Sequence, residues 1–488
     1  MDEDRFFILN RGELEKRLDP FYYIPSLVEL EERVLSSNAV PLRSFVKKMA
    51  SGATPTVAEY DKYYSTANDG YPFIRVQNLS ETGVLSLNDV KYVNDFTQKV
   101  YLKRSQVEEN DLVTKITGVG RMAVSSVPPI GFKGNINQHS VVIKTESREI
   151  SEYLAAYLNS DIGEKLATRR STGGTRPALD YPALRSIPVI CNEEIFNKAR
   201  EAREERENKE NQAQELLASI DHYLLNELGI NLPPEPENTI ENRKFTTQFS
   251  SVTGNRFDPK RYSTRTEQLY ASISDSDYPL QSLKSLLIHT ASGQWGDEPH
   301  ESFNEKLFSE CLVIRSTEFD NQFNLKLDNS RAKYRLITKT KLQKLDIKPY
   351  DILVEKSGGS PDQPVGRVAI LLPEIFDDNT LCYSNFIHKF RVNSSLVNPQ
   401  YLFAYLKVIH NIKLTDTMQS QTNGIRNLIM REYWNQEIPI PPEDKQSEIA
   451  IRYFDLKNQA QNLFIQAEQE FNHAKREIEQ LILNPNES

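Results

Sequence analysis

The sequence predicts an α+β fold written twice. Two tandem modules, each a curved sheet with a helix on one side, are joined by two long antiparallel coiled-coil helices about a pseudo-two-fold axis. Three observations predict it: an ordered internal repeat, short β-branched runs bounded by turn residues inside each copy, and two stretches with heptad spacing.

The repeat comes first. Arg17-Leu18-Asp19-Pro20 recurs as Arg256-Phe257-Asp258-Pro259, and Ser51-Gly52 as Ser292-Gly293. Phe73-Ile74-Arg75 recurs as Val313-Ile314-Arg315, and Asp111-Leu112-Val113 as Asp351-Ile352-Leu353. Val119-Gly120-Arg121 matches Val365-Gly366-Arg367, Asn137 matches Asn385, and Gly174-Thr175-Arg176 matches Gly424-Ile425-Arg426. Ile187-Pro188-Val189 closes the first copy as Ile438-Pro439-Ile440 closes the second. The offset drifts from 239 to 251 while the order never changes, as small loop insertions produce. A period of this length is too long for a solenoid and means a duplicated domain with its connector.

Within each copy, runs such as Tyr71–Val76, Asp111–Ile116 and Asp351–Val354 read as strands. Gly118-Val119-Gly120 and Ser357-Gly358-Gly359-Ser360 read as tight turns. One helix per copy is expected, over 149–167 and 398–414.

The connectors read as helices. Residues 193–228 contain no Gly or Pro, and Gly229 with Pro233-Pro234 ends them. Steps of four and three run through Ile195, Ala199, Ala202, Arg206, Lys209, Ala213, Leu216, Ile220 and Tyr223. After Pro441-Pro442 the same spacing runs through Ile449, Tyr453, Leu456, Ala460, Leu463, Ala467, Phe471, Ala474, Ile478 and Leu481, with one stutter at Phe471. Each helix is about 55 Å long at roughly 1.5 Å per residue. Neither seam buries itself alone, so the two are expected to pair antiparallel; packing of each on its own module is the alternative. Arg206 and Lys209 fit a register device, a partner contact or a local fray. The resulting segments are 1–190, 191–230, 231–440 and 441–488.

Charge divides the same way. The net charge is −9, from 59 basic and 68 acidic residues. The whole excess lies in the two helical segments, with 5 basic and 10 acidic residues over 191–230, and 5 and 9 over 441–488. The two long segments are neutral, so the overall charge does not exclude a polyanionic partner for them.

Several classes are excluded. No run approaches the roughly 18–20 apolar residues of a membrane span. The N-terminus lacks the basic-then-apolar layout of a secretion signal. Cys191, Cys311 and Cys382 stand far apart, which fits a reducing cytoplasm better than a disulfide scaffold or zinc site. There is no GxxxxGK[ST] loop, no GxSxG elbow, no Asn/Asp-Pro-Pro-Tyr/Phe tetrapeptide and no HExxH, and the seven histidines have no ligand spacing. No catalytic residue and no metal site is assigned.

The pattern as a whole resembles the specificity subunit of type I restriction-modification systems. The carrying residues are Ser51-Gly52-Ala53-Thr54-Pro55, Tyr71–Arg75 with Asn78-Leu79, Glu109–Val113, Gly118–Arg121, Asn137-Gln138, Ser171–Arg176 and Leu184–Pro188, in order, and they recur with two helices over nearly the whole chain. The second copy departs at Ser292-Gly293-Gln294-Trp295, which lacks Thr-Pro, and at Phe386, which follows Asn385. The resemblance implies two target-recognition domains, each reading half of a bipartite double-stranded DNA site, with the helices fixing the gap. It implies docking of two methyltransferase subunits that bring S-adenosylmethionine, and restriction subunits that bring ATP and Mg²⁺, in a prokaryotic cytoplasm. The chain itself would catalyse nothing.

Base reading needs paired donors and acceptors: Arg suits guanine, Asn or Gln suits adenine, and Lys or Arg at the edge holds phosphates. The candidates in the first copy are Thr54, Asn78, Lys115, Arg121, Gln138, Arg169, Arg170, Gly173, Gly174 and Arg176. Those in the second are Gln294, Trp295, Lys356, Ser357, Arg367, Gln421, Asn423 and Arg426. Arg121 and Arg367, matched in both copies, point to fold or phosphate binding rather than base choice. Partner docking or seam packing is expected at Ile195, Ala199, Arg206, Lys209, Leu216, Ile220, Ile449, Leu456, Leu463 and Ile478. A divergent nuclease or methyltransferase, or a two-module protein-interaction scaffold, is the alternative.

Overall fold

The computed structural model describes residues 4–15, 17–87, 89–237, 239–252, 257–300, 302–320, 322–327, 333–359, 364–376, 380–422 and 425–483. The chain divides into two compact units: residues 1–211 with 463–488, and residues 212–462. Among the repeat residues and candidates, Arg256, Asn423 and Gly424 lie outside the described residues.

In the first unit, a four-stranded antiparallel sheet runs in the order Lys48–Ser51, Ser140–Lys144, Leu112–Lys115, Ser125–Ser126. A five-stranded sheet lies beyond it, in which Tyr71–Ile74 pairs parallel with Lys133–Ile136. A short ladder, Val40–Pro41 with Pro188–Val189, closes the unit. The first sheet is buried on both faces: Leu112, Val141 and Ile143 pack with Leu154, Leu158 and Leu166 of the helices, while Val113 and Val142 pack with Ile74 and Ile136. Burying each such aliphatic side chain contributes about 1.5–3 kcal/mol.

The second unit has the same plan. Its four-stranded sheet is ordered Leu287–Ser292, Ile387–Val392, Ile352–Glu355, Val368–Ile370. Phe308–Ile314 pairs parallel with Leu381–Tyr383, and Leu280–Ser282 pairs with Glu437–Pro439 as the closing ladder. Its core holds Ile352, Val354, Phe390, Leu402, Phe403 and Leu406.

Helices are more numerous than one per module. The stretch 149–167 is two helices, Arg148–Asn159 and Asp161–Arg170, because Ser160 takes an extended conformation and its hydroxyl caps the second by accepting from Gly163 N at 3.0 Å. The stretch 398–414 is the helix Pro399–Asn411 followed, after left-handed Lys413, by a 3-10 turn over Leu414–Met418. Short helices also precede each sheet, at Pro25–Ser36 and Thr264–Ser274. In both units the main helix is tied to the closing strand by tyrosines. Tyr157 donates to Pro188 O at 2.9 Å and Tyr153 to Ile190 O; Tyr401 donates to Pro439 O at 2.7 Å and Tyr405 to Glu437 O at 3.1 Å.

The long helices span Glu193–Glu227 and Glu443–Leu483, close to the stretches expected. Within the first unit they run antiparallel: Lys198 pairs with Glu477 at 2.7 Å and, further along, Lys209 with Glu470. Ile195 and Ile478 are buried together there, with Ala199 half-buried beside them. Arg206 lies with its guanidinium 5.0 Å from the centre of the Phe471 ring, so the charged middle of this seam is paired and stacked. Leu463 is half-buried. Within the second unit, Ile220, Leu224, Ile449 and Leu456 are buried in one core, Leu216 packs against it, and Lys445 pairs with Glu227. Among the described residues no helix is long and apolar enough to cross a membrane.

Candidate nucleic-acid interface

In the first unit, strand Lys48–Ser51 leaves its sheet at Gly52. A Cβ there would stand 1.8 Å from the carbonyl oxygen of Ile136, so only glycine lets the two backbones cross. This crossing brings exposed Thr54 beside exposed Gln138, whose Oε1 accepts from the Thr54 hydroxyl. Gln138 Nε2 lies 3.3 Å from His139 Nε2. The next strand ends alongside: Ile116 N donates to His139 O at 3.0 Å. Gly118 N then donates to Pro177 O at 3.1 Å, drawing in the loop 171–176. That loop exposes Gly173, left-handed at φ +94°, Gly174 and Arg176. Its base is held by Arg17, which donates to the carbonyls of Arg170 and Ser171 at 2.9 Å each. Thr54, Gln138, Gly173, Gly174 and Arg176 therefore share one end of the unit.

Five other side chains named from the sequence are engaged by the fold. Lys115 is buried and donates to Val119 O at 2.7 Å, and burial pushes its ammonium pKa down. Asn78 is buried and accepts from Arg75 N at 3.0 Å. Arg121 reaches Asp161 at 2.9 Å, Glu81 at 3.3 Å and the carbonyl of Asn159 at 2.9 Å. Arg169 and Arg170 are buried and both pair with Glu31; Arg169 also lies 4.1 Å over the Tyr22 ring.

The second unit builds the same crossing at Gly293, where a Cβ would stand 2.0 Å from Ser384 O. Gly293 N donates to Ile387 O at 3.1 Å and Gln294 N to Tyr383 O at 2.8 Å, zipping the two loops together. Trp295 emerges 39% exposed, with the Arg335 guanidinium 4.7 Å from its ring centre. Phe386 is 47% exposed, and its carbonyl accepts from Lys356 N at 2.9 Å and Ser357 N at 3.2 Å. Lys356 Nζ donates to Ser292 Oγ at 2.6 Å, and burial pushes its pKa down. His388 Nδ1 lies 3.4 Å from the same hydroxyl; burial first, then the Lys356 charge, pushes its pKa down to about 4. Ser357 pairs with Asn427, and Gln421 with Arg426, in an adjoining three-stranded set. Gln421 and Arg426 line a surface pocket with Phe257, Lys260 and Asp416. Arg367 is buried and bonded to Glu355, Phe319 O and Ser316 O.

Two matches within the repeat are corrected by strand register. Val113 and Thr114 face Ser126 and Ser125, whereas Leu353 and Val354 face Ala369 and Val368. Arg367 therefore corresponds to Val124, not Arg121, and Gly366 to Ala123; the latter two both have positive φ, 105° and 55°. Between the paired strands the first turn is three residues shorter than the second, which sequence similarity around Gly-Arg conceals. Likewise Ile136 and Tyr383 are the last paired residues of the parallel ladder, and each stands seven residues before Ile143 or Phe390, the residues facing Leu112 and Ile352. Gln138 thus corresponds to Asn385, and His139 to Phe386. In the sequence Phe386 stands out only as a departure between the copies, and nothing there marks His139, Arg17 or Arg335 as neighbours of these loops. A phenylalanine directly after a polar loop residue, Asn385, was the available signal.

Chemically, each unit presents a small polar and aromatic loop set on a rigid sheet end, suited to touching base edges and backbone. Among the described residues no group of three His, Cys, Asp or Glu is placed to hold a metal ion.

The site and fold thus define a sheet-mounted recognition module. Residues 313–469 match the family model described as the type I restriction modification DNA specificity domain, and the resemblance of the chain to specificity subunits is borne out. Among solved structures, a chain from work on complex assembly and conformational transition of the type I R-M system is similar at 14% identity and TM-score 0.42, covering 91% of this chain and 96% of that one. The HsdS subunit from Thermoanaerobacter tengcongensis matches at 14% identity and TM-score 0.32 over 91% and 95%. The type I restriction-modification S subunit from M. genitalium matches at 11% and 0.37 over 91% and 94%. No curated protein sequence matches the chain.

Proposed function

We propose that the chain is the non-catalytic specificity subunit of a type I restriction-modification complex. Each unit reads one half of a bipartite double-stranded DNA site. The paired long helices set the gap and dock two methyltransferase subunits, which bring S-adenosylmethionine; restriction subunits bring ATP and Mg²⁺. The observation that carries this reading is the DNA specificity domain over 313–469. The matching strand order of the first unit supports extending it to both halves.

Reading falls to the exposed loop residues Thr54 and Gln138 in the first unit, with Gly173 and Gly174 giving a phosphate close approach and Arg176 a phosphate contact. In the second it falls to exposed Trp295 and Gln421 and to half-buried Ser357 and Arg426 on the adjoining strands, with Lys356 at the edge. Arg121, Arg169, Arg170 and Arg367 hold these loops' supports.

The test is a genome-wide methylation map of the host with and without this chain. Loss of one bipartite motif with a fixed gap is the expected result. An unchanged map, with no sequence preference in the assembled complex, overturns the proposal.

A further inference from the structure

The two units differ in chemistry at corresponding loop positions. Strand register matches Thr54 with Trp295, Gln138 with Asn385, and His139 with Phe386. The first unit therefore presents a hydroxyl, an amide and an imidazole where the second presents an indole, an amide and a phenyl ring. The second unit's rings are exposed, at 39% for Trp295 and 47% for Phe386, although the core beneath is closed. Both stand on backbone held from several sides: the Gly293 crossing, the Gln294–Tyr383 bond, and the Lys356 and Ser357 amides on the Phe386 carbonyl. Arg335 covers one face of the Trp295 ring, fixing its orientation. Lys356 stands on the adjoining backbone, bonded only to a neutral hydroxyl, Ser292 Oγ, among the described residues. Rigid apolar groups beside an ammonium that pairs with no carboxylate among the described residues match a surface that is anionic at its edge and apolar within. In a DNA major groove the apolar element is the thymine C5-methyl, flanked by phosphates.

We propose that the second unit recognises thymine in its half-site by contact of Phe386 and Trp295 with the C5-methyl group, whereas the first unit discriminates by hydrogen bonding. This rests on the DNA-reading function proposed above. It makes the two half-sites respond differently to removal of a single methyl group.

The full chain, assembled with its methyltransferase subunits, is used to select duplexes from a random-sequence pool. Each thymine of the selected site is then replaced by deoxyuridine. The wild-type complex should lose about fourfold in affinity for each contacted methyl in one half-site, the cost of leaving one such group unburied. Phe386→Leu keeps the loss, whereas Phe386→His, which installs the first unit's side chain at an exposed position, and Trp295→Ala each abolish it at the thymine that residue touches. A selected site indifferent to uracil in both halves overturns this proposal and leaves DNA reading standing. So does a uracil effect that persists unchanged in both Phe386→His and Trp295→Ala. A pool that yields no preferred sequence overturns both readings.

Discussion

Arg367 and Glu355 hold each other inside the second unit, Nε to Oε2 at 3.0 Å, with 8% and 2% of their side chains exposed. The arginine also closes the carbonyls of Phe319 and Ser316. Removing one member of such a pair leaves a charge buried alone, which costs about 3–5 kcal/mol. Arg367→Ala is therefore expected to lower the unfolding free energy, read from urea denaturation, by that amount. The double change Arg367→Met with Glu355→Leu should cost clearly less than the sum of its single changes. Equal, additive losses in an unfolding series count against the pairing.

Gly293→Ala places a methyl 2.0 Å from one backbone oxygen and 2.4 Å from another. Neither belongs to a flexible side chain, so the crossing must open at a cost of about 2–3 kcal/mol. Gly52→Ala is expected to do the same in the first unit. Gly174→Ala, with open space around it, should change unfolding by under about 0.5 kcal/mol.

His388 stays neutral in the fold because burial and Lys356 push its pKa down to about 4. The unfolded chain takes up the proton nearer its ordinary pKa of 6.5. The native state thus binds fewer protons between these values. Stability is full above about pH 6.5 and falls as pH drops toward 4. With its partial exposure discounted, the loss by pH 4 is about 1–2 kcal/mol. Denaturation at several pH values should show this increment in wild type and its absence in His388→Gln.

Arg176 is exposed and has no bonded partner among the described residues. As a phosphate contact, its replacement by alanine should weaken DNA binding uniformly across sequences and lower the salt slope by about one. Thermal stability should hardly move. Binding isotherms at three salt concentrations check this; an altered sequence preference with an unchanged slope would assign it to base reading instead.

Much of the architecture was legible because strands and heptads leave periodic signals. The seam positions Ile195, Ile220, Ile449, Leu456 and Ile478 are all buried. Ser160 was not legible as a helix break, since a serine inside a helical pattern gives no sign that its hydroxyl will cap the next turn. At the loops, sequence identified residue types suited to DNA without their partners. Arg169 and Arg170 look like free cations until Glu31, some 140 residues away, is folded against them. Register failed for a similar reason: Arg121 and Arg367 share a Gly-Arg neighbourhood, but only the ladder shows that they occupy different places.

The glycine crossings also bear on how new specificities could arise. At Gly52 and Gly293 the loops are anchored by main-chain proximity, which is indifferent to the identity of the residues beyond. Thr54 can become Trp295, and His139 can become Phe386, without altering a core contact. Under the DNA-reading function proposed above, exchanging a few residues beyond the crossing would retarget one unit while the sheet and helices beneath it stay unchanged.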